Sequence, residues 1–127
     1  MSGYAVKKID DMEGIYLGSF KLARAEMGVT AFGMAVMDIP AGYGDYPEHD
    51  HSEDGQEEVY TVLRGACTLI VGGEEHRLEP DMFARVGPSE KRKIVTGDQP
   101  VRLIALGGMP GQAYEVSEFT RAHAQNA

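Results

Sequence analysis

The sequence predicts an all-β fold, a sandwich or barrel, with a short helix near its N-terminus. Three observations carry that reading. The chain has 127 residues, enough for one compact domain with its own core. Beyond residue 28 it divides into seven or eight short apolar segments, at the roughly 8–12-residue spacing of antiparallel sandwiches and barrels. The breaks between them are made of glycine, proline, aspartate and serine, the residues that turns require.

The elements follow in order. Residues 4–9 read as extended, and Asp10-Asp11 ends them. Residues 19–27 read as a helix: Phe20, Ala23 and Met27 recur on one face, Ser19 can cap the start and Gly28 can close the end. A helix so short is held by packing rather than by its own propensity. Residues 29–39 are apolar at nearly every position and run into Pro40, Gly42 and Gly44. Residues 56–63 form a strand rich in Val, Tyr, Thr and Leu, and Arg64-Gly65 interrupts it. Residues 66–71 and 74–78 form a hairpin about Gly72-Gly73, where glycine permits positive φ. Strands at 82–86, 91–96 and 101–106 follow, separated by Pro80-Asp81, Gly87-Pro88-Ser89 and Gly97-Asp98. A short helix is expected near residues 116–121. The organisation expected is one structural domain: an extension over 1–28, a barrel over 29–111 and a tail over 112–127.

Composition narrows the function. Hydrophobic residues are 43% and charged residues 25%, ordinary for a globular protein. Twenty acids against twelve bases give a formal charge of −8. This argues against nucleic acid and anionic lipid as partners, since both call for a basic surface. No apolar run approaches the roughly 18 residues needed to cross a bilayer. No basic stretch precedes an apolar run at the N-terminus. Cys67 is the single cysteine, which excludes an intramolecular disulfide and a cysteine-based zinc cluster. A cytoplasmic protein is expected.

One segment carries chemistry. Tyr46-Pro47-Glu48-His49-Asp50-His51 contains a His-x-His pair. In an extended chain alternate side chains share a face, so His49 and His51 point together and Asp50 points away. Two imidazoles so placed can grip one metal ion. Glu57 and Glu58 open the next strand, and only one of them can face inward. Glu58 shares its parity with Gln56, Tyr60 and Val62, Glu57 with Val59, Thr61 and Leu63, and parity alone does not choose. Seven of the acids lie in residues 45–58 with no lysine or arginine among them. That suits a mouth that attracts cations, or a solvated acidic loop.

These residues resemble the first motif of the cupin superfamily: a glycine, His-x-His, a spacer, a glutamate, six residues and a glycine. Gly44, His49, His51, Glu58 and Gly65 match it, with Gly44 slightly closer and the spacer to Glu58 slightly longer than the common form. The six-residue step to Gly65 selects Glu58 over Glu57. Downstream, Gly72-Gly73-Glu74, Leu78-Glu79-Pro80-Asp81 and Val86-Gly87-Pro88 resemble the hairpin and second motif. There the glycine after Pro80 is lacking, and the position of the expected histidine holds Arg92. The similarity covers about residues 29–108 and is of the kind shown by small single-domain bacterial cupins without an assigned reaction.

The resemblance implies a jelly roll (a double-stranded β-helix barrel), a site inside it near one open end, and a homodimer. It also implies a divalent metal ion, Fe, Mn, Ni or Zn, held by His49, His51 and Glu58, with Gln56 a candidate further oxygen ligand. Three protein ligands would leave coordination positions open. Arg92 could pair with Glu58 in the metal's place, or hold an anionic ligand with its planar fork. Tyr60, Met37 and Phe83 are candidates to line the pocket, although Phe32, Met34, Met37 and Phe83 also suit core packing. Cys67 reads as a buried inert thiol, and His76 and His123 as surface residues. The functions expected are a metal-dependent oxygenase, isomerase or decarboxylase acting on a small molecule, anionic ones included, or a non-catalytic ligand-binding or sensor module whose metal site is lost.

Overall fold

The structure, a computed structural model, describes residues 3–116. Its strands are β1 (Gly14–Ile15), β2 (Phe20–Lys21), β3 (Gly33–Ile39), β4 (Glu57–Gly65), β5 (Cys67–Val71), β6 (Glu74–Leu78), β7 (Phe83–Val86), β8 (Arg92–Val95) and β9 (Val101–Gly108). A 3-10 turn at Ile9–Asp11 and one helix, α1 (Ala23–Met27), precede β3. One sheet has the order β1-β2-β3-β9-β4-β7 and the other β6-β5-β8. Every strand pair is antiparallel.

The pleat explains the core. Alternate residues of β3, β4 and β9 turn Met37, Ile39, Tyr60, Val62, Val101, Leu103 and Ala105 toward the second sheet. That sheet answers with Cys67, Leu69, Leu78 and Ile94. A smaller cluster of Met12, Ala23 and Val36 holds α1 on the other side of β3. Among the described residues no helix is long and apolar enough to cross a membrane.

Several expectations are met closely. Gly72 and Gly73 have φ of 55° and 86° and form the two-residue turn between β5 and β6. Gly65 has φ of 79°, and a Cβ there would collide with the Pro100 carbonyl. The chain thus needs glycine where β4 hands over to β5, although Arg64 and Gly65 do not interrupt β4 as expected: after a bulge they still pair with Arg102 and Val101.

The N-terminal helix is shorter than expected. Residues 19–22 are not helical, because Phe20 and Lys21 pair with Met37 and Val36 instead. Leu22 stands at the N-cap without a side-chain cap, and Ser19 Oγ donates to the Tyr16 carbonyl. Gly28 closes α1 in the left-handed conformation, as expected. The β1–β2 hairpin escaped the sequence because its strands are only two residues long and two of its four turn residues, Tyr16 and Leu17, take positive φ without being glycine or asparagine, leaving Gly18 as the single turn signal. Residues 4–8 form no strand. The helix expected at residues 116–121 falls almost entirely outside the described residues.

Candidate metal centre

The His-x-His segment is pinned by backbone bonds. His49 N–H donates to the Arg92 carbonyl at 3.0 Å, and Arg92 N–H returns to the His49 carbonyl at 2.9 Å. His51 N–H donates to the Pro88 carbonyl at 2.8 Å. The segment is therefore extended along the outer edge of β8, and the two imidazoles lie together with ring centroids 5.2 Å apart. Glu58, near the start of β4, comes from the facing sheet. One nitrogen of each histidine and one Glu58 oxygen lie within 4.8 Å of one another.

The surroundings set the tautomers. His49 Nδ1 lies 3.0 Å from the Pro47 carbonyl, which only accepts, so this nitrogen carries the proton. His51 Nδ1 lies 3.1 Å from both Asp54 carboxylate oxygens. In each neutral ring the lone pair is then left on Nε2, as in metal-bound histidines oriented by an oxygen behind them. His51 Nε2 is buried and has no hydrogen-bond partner. It sits 3.2 Å from Glu58 Oε1 and makes no hydrogen bond to it, so in the neutral ring its lone pair faces a carboxylate oxygen that a proton or a cation between them would satisfy. A buried lone pair without a partner is costly unless something occupies it. The donor set, two imidazole nitrogens and a carboxylate oxygen, fits a divalent transition metal.

Glu58 is held firmly. Its Oε1 accepts from Tyr60 Oη and from Arg92 Nη1, both at 2.6 Å. Burial pushes its carboxyl pKa up, but His51, Tyr60 and the Arg92 charge outweigh this and hold it below the usual glutamate value. The Glu58 carboxylate in turn raises the His51 pKa, with Asp54 adding to it and desolvation opposing. A proton and a metal ion thus compete for His51 Nε2. Burial, together with the Glu58 charge, drives the Tyr46 phenol up, while burial, Tyr46 and Glu58 do the same to Tyr60.

The expected residues divide. His49, His51, Glu58, Tyr60, Met37 and Gln56 all border one cavity of about 1100 Å³ inside the barrel. Gln56 is buried, and its amide nitrogen donates to Asp54 Oδ2 at 3.2 Å. It therefore braces the carboxylate behind His51. Glu57 points outward and pairs with Arg85 at 3.0 Å, so the inward residue is Glu58.

Two site expectations are corrected. Arg92 is 0% exposed and does not border the cavity. Its fork is used by Glu58 and by the Gly87 carbonyl at 2.7 Å, and its Nε by the Glu90 carbonyl at 3.0 Å. Its donors are taken by protein oxygens rather than turned to the cavity, and the pairing with Glu58 is the other of the two expectations stated for it. Phe83 is 80% exposed on the outer face of β7, because its neighbours Ala84 and Val86 take the inward parity. Phe32, at 41% exposed, is likewise no core residue, and Met34 is only partly buried. Cys67 is buried as expected, and desolvation pushes its thiol up to about 11. His76 is exposed, and His123 lies outside the described residues.

Sequence reasoning missed Asp54, Tyr46 and Tyr114. Asp54 carried a signal, standing three residues after a candidate ligand in a short polar loop. Tyr46 and Tyr114 carried none, since both lie outside regular strands and no periodicity orients them.

The comparisons agree with this geometry. A family model described as "Cupin domain" matches residues 35–107. A cupin protein from Bacteroides fragilis is 21% identical, with 92% of this chain and 93% of that one covered at a TM-score of 0.72. A sugar phosphate isomerase from a cupin superfamily, from Silicibacter pomeroyi, is 18% identical, with 81% and 74% covered and a TM-score of 0.65. A DMSP lyase from Ruegeria pomeroyi is 24% identical, with 71% and 44% covered and a TM-score of 0.57. At these identities the likeness is one of fold. No curated protein matches the chain. The matched family model spans more than half the chain, over the strands that place His49, His51 and Glu58 around one cavity: the chain belongs to the cupin family.

Proposed function

We propose that this cupin holds a divalent metal ion through His49, His51 and Glu58 and binds a small molecule against it in the barrel cavity. The single observation that carries the reading is the orphaned His51 Nε2, buried and facing another imidazole and a carboxylate. When bound, such an ion polarises an oxygen of the ligand. The protein's own residues do the rest. Asp54 and the Pro47 carbonyl hold the rings in the tautomer that presents Nε2. Arg92 and Tyr60 fix the Glu58 carboxylate in place. Tyr46 and Tyr60, with pKa values raised, stay protonated at neutral pH and do not act as bases, and the Tyr60 proton is held by Glu58. The metal is one of Fe, Mn, Ni or Zn, all of which accept imidazole and carboxylate together. The proposal extends to a cytoplasmic home, in keeping with the lone buried thiol of Cys67, and to a homodimer, for which the edge strands β6 and β7 are available.

Calorimetric titration of the metal-free protein with each of these ions tests the reading, alongside His51→Ala and Glu58→Gln. One ion should bind per chain at micromolar or tighter affinity and be lost in both variants. Wild-type protein that takes up none of the four at micromolar concentration refutes it.

A further inference from the structure

Beyond the three proposed ligands, the cavity has a definite chemical character. Five of the six tyrosines in the chain border it: Tyr16, Tyr43, Tyr46, Tyr60 and Tyr114. Phe20, Met34, Met37 and Ile39 add apolar wall. Such a surface suits an aromatic or aliphatic body.

Its charge is one-sided. Among the described residues Arg24 is the only lysine or arginine that borders the cavity, and its Nη1 already donates to the Val29 carbonyl at 2.9 Å. Two further buried guanidinium groups, Arg92 between the sheets and Arg102 on the outer face of β9, are spent. Arg92 is enclosed by Glu58, Gly87 and Glu90. Arg102 is chelated by both Asp38 oxygens, at 2.7 and 2.9 Å, and by Asp10 at 2.5 Å. Asp45, Asp50 and Glu53 also border the cavity, and none of them pairs with a basic side chain among the described residues. An anion entering here meets these three carboxylates and a single guanidinium, Arg24, one of whose donors is already spent on Val29. A neutral molecule loses nothing, and an organic cation gains from the carboxylates and from the faces of the tyrosines.

We infer that the cavity selects small molecules with an aromatic or aliphatic body and no net negative charge, organic cations above all, and rejects carboxylates and phosphates. The inference rests on the cavity of the proposed function for its location but not on the presence of the metal. It also replaces the sequence-based expectation of an anionic ligand held by Arg92.

The chain has no tryptophan, so tyrosine emission reports on this cavity directly. Three probes with one body separate the charges: cyclohexylmethylamine, cyclohexylmethanol and cyclohexanecarboxylate. Each is titrated into metal-free and zinc-loaded protein at low and high salt. On the metal-free protein the amine and the alcohol should bind, and the carboxylate at least about tenfold more weakly than the amine, since three carboxylates act across a screened mouth. Added salt should narrow the gap. The triple variant Asp45→Asn, Asp50→Asn, Glu53→Gln should narrow it too. A carboxylate that binds the metal-free protein as tightly as the amine overturns the inference, as does a failure of all three probes on both forms. Carboxylate binding that Arg24→Gln abolishes also overturns it and makes Arg24 an anion site. Zinc titration in the same samples keeps the readings apart. If zinc fails to bind while the charge ranking holds, the metal reading fails and this inference stands.

Discussion

Replacing Arg92 with methionine is the sharpest perturbation of this site. The side chain is 0% exposed, and the Glu58 carboxylate it neutralises is 14% exposed. The variant keeps an apolar stem of similar length but strips Glu58 Oε1 of one charged donor and leaves the Gly87 and Glu90 carbonyls without theirs. Breaking a buried ion pair from one side costs about 3–5 kcal/mol, because the remaining charge is uncompensated. Water reaching the partly open Glu58 puts the expected loss near the lower end, about 3 kcal/mol. For a domain of this size that lowers the melting temperature by about 10–15 °C. Urea titration in chelator at pH 7, with thermal melts beside it, measures both. Adding Glu58→Gln to Arg92→Met removes the stranded charge, so the double variant should be about 1–3 kcal/mol more stable than additivity predicts. Saturating zinc should stabilise Arg92→Met more than wild type, since it supplies the positive charge that was removed. A variant within about 0.5 kcal/mol of wild type, the range of an ordinary surface change, or strict additivity in the double, refutes the buttress role.

Other outcomes follow from the same contacts. Asp54→Asn should weaken zinc binding about 10–100-fold with little change in melting temperature, since the carboxylate orients His51 without touching the ion; calorimetry checks this, and an unchanged affinity counts against it. Gly107→Ala sets a Cβ 2.5 Å from Gln56 Oε1, the end of a side chain that borders the cavity, so the amide should swing aside and loosen its bond to Asp54, at a cost by urea titration of no more than about 1 kcal/mol. In metal-free protein the folded-state pKa of Glu58 is depressed below its usual 4.5. Its contribution is therefore present above pH 4.5 and lost as pH falls through the depressed value. Stability curves from pH 6 to 3 should be steeper for wild type than for Glu58→Gln. Cys67, buried with its thiol pushed up to about 11, should react with a thiol reagent at pH 8 only as fast as the protein opens, and labelling as fast as in urea would refute its burial.

The sequence by itself determined the β texture, the hairpin about Gly72-Gly73 and the shared face of His49 and His51. These are local matters: period-two alternation and the freedom of glycine depend on neighbours along the chain. Resemblance to cupin motifs supplied what parity left open, the choice of Glu58 over Glu57. The helix start, by contrast, misread Phe20, because pairing with Met37 across seventeen residues overrode a helical spacing that was locally sound. Only the tertiary structure decided where Arg92 goes. Its charge and its position in β8 suited a ligand anchor or a partner for Glu58 equally well. The facing of β8 against the start of β4, which no local pattern encodes, turns its fork onto Glu58 and away from the cavity. The same packing sends Phe83 to solvent and brings Asp54 behind His51. Alternation says on which side of its own strand a residue lies; only the pairing of distant strands says what stands opposite.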